Sequence, residues 1–111
     1  MPWGALPKPT AAMDKALELP GTNMIYVHSY GVRLLRASRA DRALKIFQFN
    51  QQRHPEEKFW TYYGLARAYS ALGDKPKAIK NWEIAIANVP DDRKFMLSQF
   101  QAALNKLKEG S

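Results

Sequence analysis

Apolar side chains recur along this chain at helical spacing. From Phe59 to Leu72, the residues Tyr62, Leu65, Ala66 and Tyr69 stand at i, i+3, i+4 and i+7, which lays one apolar stripe along a helix. Gly73 follows, suited to the left-handed conformation just past a helix end. Asp74 then suits an N-cap, and Pro76 the first turn of another helix, where a missing N–H is harmless. That helix is expected to run to about Asn88, with Ala78, Ile79, Trp82, Ala85 and Ile86 facing inward, until Pro90 stops it. An earlier stretch has the same layout. Val27, Tyr30, Gly31 and Leu34 form a stripe, Ser38 and Asp41 suit a turn and helix start, and Ala43, Ile46 and Phe47 face inward from a second helix. Pro55 closes this pair, and Glu56 and Glu57 are placed to oppose the positive N-terminus of the helix that follows.

The two pairs are in register. Pro20, Pro55 and Pro90 are 35 residues apart, as are Tyr30 and Leu65, Gly31 and Ala66, Leu34 and Tyr69, Ala43 and Ala78, and Phe47 and Trp82. The spacing resembles the tetratricopeptide repeat family, whose pattern is W-x2-L-G-x2-Y, then Ala-x3-Phe, then Pro. Tyr62, Leu65, Ala66, Tyr69, Ala78, Trp82 and Pro90 follow it in the second unit, and Val27, Tyr30, Gly31, Leu34, Ala43, Phe47 and Pro55 in the first. Val27 stands in place of the aromatic residue, and Asn50 in place of the small residue matching Ala85. The stretch LARAYSALGD and the KLKEG ending are also similar to helical repeat regions that close some longer bacterial proteins.

The expected fold is therefore all-α, a right-handed superhelix of antiparallel helix pairs, with units over about 24–57 and 59–92. A capping helix over about 93–108 carries Leu97, Phe100, Leu104 and Leu107 on one face. A short helix over Thr10–Leu19 is expected to pack on the first unit, making a single domain over 10–108. Residues 1–9, with three prolines, read as an extended linker belonging to something longer. In this scheme small residues at Gly31, Ala43, Ala66 and Ala78 let helices approach closely. Tyr62, Tyr69, Phe47 and Trp82 are packing residues rather than catalysts.

The resemblance implies a concave surface lined by the first helix of each pair. Trp60, Tyr63, Arg67 and Ser70 fall there in the second unit, and His28, Val32, Leu35 and Arg36 in the first, with Ser98 and Asn105 offered by the cap. Trp and Tyr beside Arg is the composition of an interaction hot spot. An equal alternative is that Trp60 and Tyr63 pack on the cap helix or the first unit. Family members that grip a peptide C-terminal carboxylate use asparagines and basic residues on this face. Ser29 and Gly64 occupy the matching asparagine positions here, so that clamp is not carried over, although Arg36 and Arg67 still favour an acidic peptide.

Composition narrows the chemistry. The chain has 111 residues, no cysteine, two histidines and a net charge of +7. Disulfides, thiolate metal sites and a cysteine nucleophile are excluded. His28 and His54 lack the further ligands a zinc site needs, and no metal or cofactor is expected. His54 instead suits a helix C-terminus. The acids fall at helix starts and on exposed faces, and neither a GxSxG motif nor a glycine-rich phosphate loop occurs. No membrane span or secretory signal is evident. Lys and Arg are spread without a run of four, which reads as a solvated basic surface more than a polyanion site. The expected role is a non-catalytic protein–protein interaction module or scaffold, acting through the concave face or as a homodimer. The alternatives are a nucleic-acid-binding surface and a structural tail for an upstream domain.

Overall fold

The computed structural model of the chain describes residues 23–109. Among these residues all regular structure is helical: α1 (Met24–Arg36), α2 (Ala40–Arg53), α3 (Trp60–Leu72), α4 (Lys75–Ala87), a 3₁₀ segment (Asp91–Met96) and α5 (Leu97–Glu109). The expected linker over 1–9 and helix over Thr10–Leu19 lie outside the described residues. No helix among the described residues is long and apolar enough to cross a membrane.

Local chemistry accounts for most boundaries. Asn23 caps α1, its side-chain oxygen accepting from the Tyr26 N–H at 2.8 Å. Gly73 ends α3 at φ 80°, and its neighbour Asp74 accepts from the Lys77 N–H at 3.3 Å to start α4. Glu57 does more than offer a charge. Its carboxylate accepts the N–H groups of Phe59, Trp60 and Thr61 at 2.8, 2.8 and 2.9 Å, which satisfies the open start of α3. Ser38 takes φ 61° at the α1–α2 turn, while Arg39, at the start of α2, makes no side-chain cap bond. The cap helix differs from expectation: the chain beyond Pro90 first winds as a 3₁₀ segment, and the α-helix begins only at Leu97. In that segment Phe95 is 72% exposed.

Consecutive helices pack on one another, and α3 also packs on α1. The short α1–α2 and α3–α4 links force each of these pairs to run antiparallel. Two clusters make the core. One surrounds Phe47 with Val27, Tyr30, Leu34, Ala43, Ile46, Leu65 and Ala68. The other holds Phe59, Ala66, Trp82, Ala85, Val89, Phe100 and Leu104. Helix α3 belongs to both: Leu65 and Ala68 face the first cluster and Ala66 the second. Tyr62 and Tyr69, expected as packing residues, are half-buried against the first cluster. Residues 35 positions apart are buried alike, Ala43 with Ala78, Phe47 with Trp82, and Tyr30 with Leu65.

Asn50, which stands where the second unit has the small Ala85, is fully buried, as Ala85 is. Its Nδ2 donates to the Met24 carbonyl at 3.1 Å and ties the end of α2 to the start of α1.

Candidate functional site

The sequence places His28 on an open face, and the structure corrects this. His28 is only 6% exposed. The apolar stripe of α1 meets α2, but His28 lies beside that stripe, on the side that α3 covers. Its ring centroid stands 5.1 Å from Trp60, 5.3 Å from Tyr63 and 5.6 Å from Phe47. Burial lowers its pKa to about 4, helped by the nearby Arg67 charge and opposed by Glu57 and a hydrogen bond with the Trp60 backbone. The ring is therefore neutral at physiological pH, with Nδ1 buried and unpartnered.

Trp60 and Tyr63 follow the packing alternative. Both are half-buried. Tyr63 lies 4.8 Å from Phe100 and 5.7 Å from Trp82, and Phe100 lies 5.2 Å from Trp82, so an unbroken set of rings runs from His28 to the cap helix. Cations lie over its outer edge, with the Arg67 guanidinium 5.6 Å from the Tyr63 ring centre and that of Arg93 5.5 Å from the Trp60 ring centre. Gly64, read from sequence as a position on the open face, is buried beneath the Phe47 ring.

The rings join α5 to α3 near the start of both helices. Further along, α3 and α5 leave a groove of about 550 Å³ between them. Arg67 and Ser70 line it from α3, Lys75 and Trp82 from α4, and Ala103, Lys106 and Leu107 from α5. The walls are largely apolar, the charges among these residues are all positive, and none of them is a carboxylate. Lys108 of α5 lies 3.5 Å from Glu83 of α4, and neither residue lines the groove.

The expected surface thus divides. Arg67 and Ser70 reach the groove; His28, Trp60 and Tyr63 belong to the packed rings. Val32 is half-buried against the first core cluster and Arg36 is exposed on α1, so neither shares the groove. Ser98 and Asn105 are exposed on α5 but do not line it. Sequence reasoning missed Lys75, Trp82, Ala103, Lys106 and Leu107 as lining of this groove. The periodicity of α5 did point to Leu107, as part of its apolar face, but not to its partner across the gap. Among the described residues, no group of three or more His, Cys, Asp or Glu is arranged to hold a metal ion.

In comparisons with known proteins, the chain matches no family model, no curated protein and no solved structure.

Proposed function

We propose that this chain is a non-catalytic protein-interaction module, built as a short superhelical solenoid of tetratricopeptide type in which α5 caps two helix pairs. The matched burial of residues 35 positions apart supports the repeat reading. The observation that carries the function is the groove between α3 and α5, a concavity of about 550 Å³ with apolar walls and a few polar groups at its edge. Such concavities suit ligand or peptide side chains, and solenoids present them along the helices that open each pair. The carboxylates of Asp74 and Glu57 are engaged in starting helices and His28 is enclosed among rings, so these three side chains serve the fold.

Selection of a random displayed peptide library on the purified domain tests this reading. The expected result is an enriched consensus whose binding is blocked by Ser70→Trp, a substitution that fills the groove. A selection that returns no consensus, or one indifferent to Ser70→Trp, overturns it.

A second reading, self-association, is favoured by a different surface. Ile25 and Tyr26 are exposed large apolar residues on neighbouring positions of α1, far along the chain from the groove residues. Light scattering on a sizing column at two ionic strengths decides it. A dimer that Tyr26→Glu dissociates supports this second reading, and a monomer at both salts removes it.

A further inference from the structure

We infer that the groove between α3 and α5 takes an acidic peptide segment with a leucine- or phenylalanine-sized side chain beside its carboxylates. The inference rests on reading the groove as a protein-binding surface and adds the chemistry of its occupant.

Charge and shape carry it together. Arg67, Lys75 and Lys106 bring three positive side chains to one concavity from three helices, and no lining residue is negative. An approaching carboxylate therefore meets attraction from Arg67 on α3 and Lys106 on α5, and a cationic peptide meets repulsion. Arg67 is further suited to the part. Its guanidinium carbon lies 5.6 Å from the Tyr63 ring centre, and a guanidinium is the side chain whose planar donors match a carboxylate. Apart from Ser70, the rest of the lining is Trp82, Ala103 and Leu107. An apolar side chain placed there leaves water, and the exclusion of water strengthens the ion pairs around it.

The same features disfavour nucleic acid. A phosphate backbone is tracked by a continuous basic channel with exposed aromatic faces on which bases stack. Here Trp82 is almost wholly buried, and the cations ring one apolar hollow.

The test uses the full chain, ¹⁵N-labelled, and four probes: peptides of equal length built from Glu and Leu, Gln and Leu, or Lys and Leu, and an oligothymidylate. Amide shifts report the site and fluorescence anisotropy the affinity. The expected result is that the Glu/Leu peptide moves the amides of Arg67, Ser70, Ala103 and Leu107 and binds tightest, with the Lys/Leu peptide weakest. Lys106→Glu, an exposed change that leaves the core intact, weakens the Glu/Leu peptide by about three- to tenfold, the scale of one partly exposed ion pair turned to repulsion. Arg67→Glu does the same, with preserved amide dispersion confirming the fold. Equal binding of the Gln/Leu and Glu/Leu peptides overturns the acidic preference and leaves the groove as a protein site. Silence of the groove amides with every peptide overturns both. Oligothymidylate moving those same amides more strongly than any peptide overturns the inference in favour of nucleic acid.

Discussion

The ring of Phe47, on α2, occupies the space into which a side chain on Gly64 of α3 would project. Gly31 of α1 meets the same ring, so one fully buried phenylalanine is held between two glycines from different helix pairs. A methyl group at Gly64 must displace that ring, whose surroundings are close-packed. Gly64→Ala is expected to destabilise the domain by about 1–3 kcal/mol in spite of the better helix propensity of alanine. Urea denaturation followed by circular dichroism measures this. A gain in stability would mean that the α1–α2 and α3 layers are not packed through Phe47.

Trp82 anchors the second cluster and meets the rings of Tyr63 and Phe100. Trp82→Ala is expected to cost about 3–5 kcal/mol, much of the stability of a domain this size. Trp82→Phe should be far milder, because the buried indole Nε1 has no hydrogen-bond partner to lose. Thermal melts of the two variants separate them, and equal losses would point to a bond made by that N–H.

The His28 environment sets a pH dependence. Its pKa falls from 6.5 to about 4 in the folded protein. Between these values the unfolded chain holds the proton and the folded chain does not, so stability rises with pH across this window. The full contribution is present above about pH 6.5 and is lost as pH falls toward 4, a change of about 3 kcal/mol. Urea midpoints taken from pH 4 to 7 should show this slope, and His28→Phe should flatten it. An unchanged slope in the variant would assign the acid sensitivity to other groups.

Glu57 receives three backbone N–H groups at the start of α3. Glu57→Ala leaves them without that acceptor and is expected to cost about 1–2 kcal/mol. Glu57→Gln keeps an acceptor oxygen and should lose less. Hydrogen exchange at the Phe59, Trp60 and Thr61 amides reads the effect locally: all three should exchange faster in the alanine variant, and unchanged rates would refute the cap.

The helices were legible because their causes are local. Gly73, Asp74 and Pro76 mark the α3–α4 turn by backbone conformation and capping alone, and the stripe from Val27 to Leu34 identifies the buried side of α1 by period alone. Placement between helices was less legible. His28 and Gly64 lie off the stripes of their own helices, and their burial follows from contact between helix pairs. Phe59 precedes its helix, yet is buried among residues of α4 and α5.

By itself, then, the sequence determined that the described chain is helical, where most helices turn, and that Phe47 and Trp82 are core. Each depends on residues within a few positions of one another or on simple periodicity. Tertiary structure decided that His28 is neutral and enclosed, that Trp60 and Tyr63 are packed, and that Arg67, Ser70, Lys75 and Lys106 share one groove. The first depends on how α3 packs on α1, and the others on how α5 packs on α4 beside α3, relationships set by side chains far apart in the chain.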